Sequence, residues 1–229
     1  WASGATWVDI GGESTRPGAE PVDEEEEILR VVPVIRALKM ASPDGLISID
    51  TRHASVAHEA LKAGADMVND VSGLGDKAMI ETVLEWKAAI CIMHMQGEPG
   101  TMQSKPHYEN CVEEVRTYLA NQCNLLTEQG HPKELICIDP GIGFGKDHGH
   151  NISLLKAGRT IGEDPSMSVL WGVSRKRIVG HLTGHEHADN RLAGTLGIAA
   201  VAASLGINIL RVHDVQEHVD LFSTMMPFD

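Results

Sequence analysis

The chain has 229 residues, a formal net charge of −13, 42% apolar residues and 22% charged residues. That length and content suit one globular domain, and single α/β barrels commonly run to about this size. The acidic balance argues against nucleic acid or an anionic membrane surface as the main partner, because neutralising phosphates needs a basic face. No apolar run approaches the roughly 20 residues of a membrane-spanning helix. The four cysteines, Cys91, Cys111, Cys123 and Cys137, form no C-x-x-C pair. They read as small buried hydrophobes in a reducing, cytoplasmic compartment.

In chain order, seven short apolar runs each end in polar residues: TWVDIGG (6–12), LISIDT (46–51), DMVNDVSG (66–73), AAICIMHM (88–95), ELICIDPG (134–141), SVLWGVSRK (168–176) and INILRVHD (207–214). They are near-continuously apolar rather than alternating, as parallel strands covered on both faces are. Helical patterns separate them, among them 23–39, 54–63, 77–86, 109–129 and 190–205. The acids from Asp23 to Glu27 sit where carboxylates favour the positive end of a helix dipole. This alternation predicts a (β/α)8 TIM barrel lacking its first βα unit, with a doubly wound open sheet as the alternative. The chain begins at Trp1, so a preceding strand is expected. No linker or low-complexity stretch divides residues 1–229, which read as one domain.

The glycine-rich stretch CIDPGIGFGK (137–146) invites a phosphate-loop reading, which fails. A Walker A loop needs Gly at 140 and Ser or Thr at 147, where Pro140 and Asp147 stand. A dinucleotide fingerprint from Gly141 needs glycine at 146, where Lys146 stands. In a barrel the active site lies at the carboxyl ends of the strands. The polar residues there are Asp9, Asp50, Asn69, His94, Asp139, Ser174 with Lys176, and Arg211 with His213. One or two buried polar groups could be structural; a full ring is better explained by a polar ligand. The pairs His148/His150 and His185/His187 show no third ligand of matching pattern and read as exposed loop histidines. His94 reads as a satisfied strand-end histidine.

From residue 6 to about 216 the chain resembles the dihydropteroate synthases, enzymes of folate biosynthesis. The resemblance rests on DIGGESTRPGA (9–19), ISIDT (47–51), VNDVSG (68–73), MHMQGEPGTMQ (93–103), DPGIGFGK (139–146), GVSRK (172–176) and RVHDV (211–215). The run AGRTIGEDPSM (157–167) departs from the pattern. The resemblance implies that p-aminobenzoate displaces pyrophosphate from a dihydropterin diphosphate. It implies Asp139, Asn69, Asp50, Met93 and Lys176 as pterin readers. A carboxylate suits adjacent N–H donors, an amide both donates and accepts, and a thioether offers a polarizable contact to a flat ring. Arg211 and His213, two apart on one strand face, would take the pyrophosphate. With Lys176 they would form the catalytic set. Thr15, Arg16, Pro17, Phe144 and Ser174 would build the p-aminobenzoate pocket, with Arg175 near Ser174. The glycines of 141–145 are expected to let the chain pass close to the ligand.

Alternatives that share parts of this pattern are a pterin-binding corrinoid methyltransferase domain and a truncated, non-catalytic pterin-binding barrel. The first has no need of Ser174, Lys176, Arg211 and His213. The resemblance further implies Mg²⁺, held by pyrophosphate and by an asparagine upstream of Trp1, so that no metal ligand is expected within the chain itself. It also implies a sulfonamide target and a homodimer. The helix pattern RLAGTLGIAAVAASLG (191–206), apolar or small on nearly every face, would supply the dimer surface. Packing by the C-terminal helix would explain it as well.

Overall fold

The computed structural model describes residues 1–15, 19–97 and 100–228. Seven strands lie in one order, every neighbouring pair parallel: β1 (Trp7–Gly11), β2 (Leu46–Asp50), β3 (Met67–Asp70), β4 (Ala89–Met93), β5 (Ile136–Asp139), β6 (Ser168–Trp171) and β7 (Ile209–Leu210). Between and after them run α1 (Glu24–Ala41), α2 (Ala54–Ala63), α3 (Ala78–Trp86), α4 (Cys111–Thr127), α5 (His148–Ala157), α6 (Arg177–Thr183), α7 (Leu192–Ser204) and α8 (Val215–Met225). This is the barrel-type alternation expected from the sequence, curled into a half-barrel. Arg211, one residue past β7, bonds Asp9 of β1. The curl therefore brings the two end strands face to face at the mouth.

The strands read as continuous apolar runs because both faces are covered. Ile47, Ile49, Val68, Ile90, Ile92, Ile138, Val169 and Trp171 are buried in the main core with α1 to α6 residues such as Ile35, Val56, Met79, Val115, Leu154 and Val179. Each fully buried aliphatic side chain contributes roughly 1.5–3 kcal/mol over leaving it exposed. The intervening positions form a second, smaller layer of Cys91, Cys137, Leu170 and Ile209. Cys91 and Cys137 are register partners and stay free thiols, as do Cys111 and Cys123.

Helix ends follow local chemistry. Asp23 caps α1 by accepting from the Glu25 amide at 3.0 Å, ahead of four glutamates. Asp147 caps α5, and His150 reaches back to the Asp147 amide to close a capping box. His148 and His150 are thus helix residues, not loop residues as expected. The helix α5 lacks a strong periodic signal, and α6 is only seven residues long. The divergent 157–167 run folds on itself: Arg159 Nη2 donates to the Pro165 carbonyl at 2.8 Å and the Met167 carbonyl at 2.5 Å.

Candidate active site

Asp9, Asp50, Asn69 and Asp139, on β1, β2, β3 and β5, lie with Arg211, just past β7, at one mouth. Asp9 sits on β1, and Asp50 and Asn69 are register partners on β2 and β3. The Asn69 amide donates to Asp9 Oδ2 at 3.4 Å. The Arg211 guanidinium bridges the group, donating to Asp9 Oδ2 at 2.5 Å and Asp50 Oδ2 at 3.0 Å. Met93, the register partner of Asp139, is buried beside it.

Asp139, Lys176 and Arg211 surround the small residue that follows β6. A methyl group built on Gly172 would lie 3.8 Å from Asp139 Oδ2, 3.8 Å from Lys176 Nζ and 4.0 Å from Arg211 Cβ. Glycine there leaves the space between the three groups open. Asp139 Oδ1 accepts from the Gly141 amide at 2.7 Å, which leaves Oδ2 directed to that space. Lys176 Nζ donates to the Ile142 carbonyl at 2.6 Å and sits 4.6 Å from the Phe144 ring centroid, a cation–π contact.

Desolvation sets the electrostatics. Burial pushes Asp139 above its ordinary value, opposed by Lys176, the Gly141 amide and Arg211. Burial, then repulsion from Asp9, raises Asp50 to about 7 against the pull of Arg211. Burial lowers Lys176 to about 8, against the attraction of Asp139. The mouth thus holds a compact mixed-charge set at separations where each ionisation depends on its neighbours.

His213 projects next to Ser174, its Nδ1 3.0 Å from the Ser174 hydroxyl oxygen, which also accepts from the His213 amide at 3.2 Å. Arg175 turns away from the mouth. Its guanidinium pairs with Asp214, Nε to Oδ2 at 2.9 Å, and with Asp189. Thr15 is half-buried on the β1–α1 loop; Arg16 and Pro17, expected beside it, lie outside the described residues.

Two glycines of the β5–α5 turn have a packing reason of their own. Gly141 (φ +69°) and Gly145 (φ +61°) are left-handed. A Cβ on either would overlap a backbone carbonyl of the β4 loop, that of His94 and Gln96 respectively. At these two positions the turn is pressed against its neighbour. Lys146, which motif reasoning left without a role, is what fastens it. Its buried ammonium bonds the Phe144 carbonyl at 2.8 Å, the His94 carbonyl at 3.2 Å and His94 Nδ1 at 3.0 Å. Burial lowers Lys146 to about 7 and His94 to about 3. His94 is thus a satisfied strand-end histidine, as expected. No periodicity could have paired these two, because they are 52 residues apart.

A parallel half-barrel with acids, an amide and two cations converging at its strand ends defines a class: a barrel enzyme for a small polar ligand with an anionic part. A family model described as pterin binding enzyme matches residues 1–213. The dihydropteroate synthase of Escherichia coli strain K12 is 42% identical over 218 residues, 95% of this chain and 76% of that protein. Among solved structures, the Burkholderia cenocepacia dihydropteroate synthase complexed with 7,8-dihydropteroate superposes with a TM-score of 0.91 at 40% identity, covering 99% of this chain and 82% of that one. The Thermus thermophilus dihydropteroate synthase in complex with 4-aminobenzoate gives 0.92 at 38% identity, covering 100% and 86%. The chain belongs to the pterin-binding enzymes, in the dihydropteroate synthase branch of that family. The corrinoid methyltransferase alternative falls away.

Proposed function

We infer that the chain joins a dihydropterin diphosphate to p-aminobenzoate in folate biosynthesis, using the strand-end ring for binding and charge stabilisation. The bond between the hydroxymethyl carbon and the diphosphate oxygen breaks, and the oxygen keeps the electron pair. The arylamine nitrogen then bonds that carbon and loses a proton. The single observation that carries this reading is the convergence of Asp139, Lys176 and Arg211 around Gly172, with Asp50 and Asn69 alongside.

Asp139 Oδ2 would accept from the pterin amino and ring N–H groups, helped by Asn69 and Asp50, while Met93 packs below. Lys176 would donate to the pterin carbonyl side. Arg211 and His213 would take the departing diphosphate, whose negative charge grows as the C–O bond breaks. Arg211 would exchange Asp9 and Asp50 for phosphate oxygens, and His213 would let go of Ser174. The freed Ser174 hydroxyl, with Phe144, Thr15, Arg16 and Pro17, would then face p-aminobenzoate and, in the same pocket, sulfonamides. Positioning and electrostatics carry the catalysis, with no covalent enzyme intermediate.

Mg²⁺ fits this set to a limited degree. Asp9 Oδ1 is buried without a hydrogen-bond partner, a hard oxygen that could share the ion with the diphosphate. Mg²⁺ held there would neutralise charge on the leaving group. In the same reading, the half-barrel is seven units of an eight-unit barrel forming one domain over 1–229. The eighth strand would fill the cavity of about 920 Å³ between β1 and β7, lined by Trp7, Met67, Leu170 and Ile209. The outer stripe Ala193, Gly197, Val201 and Ser204 of α7 is exposed and small. It would pack against a second copy in a homodimer. Buried free thiols suit a cytoplasmic enzyme.

The direct test supplies each substrate alone and then both. Pyrophosphate should appear only with both present; release with the pterin diphosphate alone would mean a hydrolase.

A further inference from the structure

Beside the mouth, three elements bring a second ionisable cluster together. Glu13 lies just after β1, Glu27 one turn into α1, and His53 immediately before α2. One ligand atom from each lies within 4.8 Å of the others. Glu27 is wholly buried, and neither of its carboxylate oxygens has a hydrogen-bond partner among the described residues. His53 Nε2 is also buried without such a partner. Two full carboxylate oxygens and an imidazole nitrogen left unsatisfied in one place is a costly arrangement for a fold to keep without a ligand.

Neighbouring groups prepare the set for a cation. His53 Nδ1 lies 3.4 Å from Glu24 Oε1. A carboxylate at one ring nitrogen fixes the proton there and leaves the lone pair on the other, the usual support of a metal-bound histidine. Glu13 is held by Arg52, Nε to Oε2 at 2.8 Å and Nη2 to Oε1 at 3.0 Å, and by the Val22 amide at 3.1 Å. Glu13, Glu24 and Glu27 thus gather around Arg52 and His53, whose Nε2 lies 4.0 Å from Glu13 Oε2. The Thr51 side chain also faces the Glu27 carboxyl, and Asp50 lies near enough for the two carboxyls to repel each other.

We propose that Glu13, Glu27 and His53 form a second metal site, for a divalent first-row transition ion. Two carboxylates with one imidazole suit Mn²⁺ or Zn²⁺ better than Mg²⁺, which prefers oxygen and retains its water. Bonds of about 2 Å would place ligand atoms up to roughly 4 Å apart, so the set closes on an ion with sub-ångström shifts. The ion ties the start of the β1–α1 loop, which carries Thr15, to α1 and α2. Its role is positional, outside the chemistry proposed above.

The test uses Mn²⁺ with the full chain, without substrates or pyrophosphate. Electron paramagnetic resonance should count one bound Mn²⁺ per chain, and the His53 imidazole signals should broaden while those of His213 stay sharp. Glu27→Gln and His53→Gln should each weaken binding at least about tenfold, with unchanged circular dichroism. If Glu27→Gln does not fold, His53→Gln and the broadening pattern decide. Absent binding, binding undiminished by His53→Gln, or broadening confined to His213 overturns the proposal.

Discussion

Lys176 is charged in an environment that resists charge. Its ammonium is lowered from the ordinary 10.5 to about 8, chiefly by burial. The protonated form is the one that can donate to a pterin carbonyl, so kcat/KM should fall as pH rises through about 8. Lys176→Arg, if it binds at all, should keep its activity across that range, because guanidinium does not titrate there. A pH profile of both enzymes checks this. Asp50 carries the opposite sign in stability. Its folded value, about 7, lies above the ordinary 3.8. Its contribution is therefore fully present below about 4 and is lost as pH rises toward 7. Asp50→Asn should flatten urea-denaturation stability across that window. Arg211→Ala should weaken pyrophosphate more than bare pterin, by about 10- to 100-fold in Kd from isothermal titration, since a charged hydrogen bond contributes roughly 1.5–3 kcal/mol. Equal losses would place the anion elsewhere.

At the scale of elements, the β5–α5 turn shows how a motif can mislead. Its glycines and lysine look like a phosphate cradle, yet Gly141, Gly145 and Lys146 seat the turn against the β4 loop. Gly141→Ala combines a left-handed backbone with overlap on the His94 carbonyl. It should cost at least about 1–3 kcal/mol in urea unfolding. Gly149→Ala, inside α5 with only the Asp147 carboxylate at 3.5 Å, should cost nothing. The seven strands were legible because parallel strands must be apolar on both faces, and that leaves an unbroken run. The helices α5 and α6 were not. The HGHNISLLKA sequence of α5 buries only Asn151 and Leu154, so few apolar residues mark its inner face.

On the scale of the whole molecule, α7 presents Ala193, Gly197 and Val201 outward, with Val201 51% exposed. If this stripe is the dimer face, Val201→Arg should convert a dimer to a monomer in sedimentation velocity without loss of helix content. An unchanged sedimentation coefficient would return α7 to the alternative of packing only within the chain. The sequence by itself determined the parallel barrel alternation, the strand-end ring and the family. Those follow from local patterning: apolar runs, period-two projection and motif order are written residue by residue. Only the tertiary structure decided that Arg211 rests between Asp9 and Asp50, that Lys146 bonds His94, and that Glu13, Glu27 and His53 meet. Each joins elements distant in the chain, and the curl of the sheet, not any local spacing, sets the distance between them.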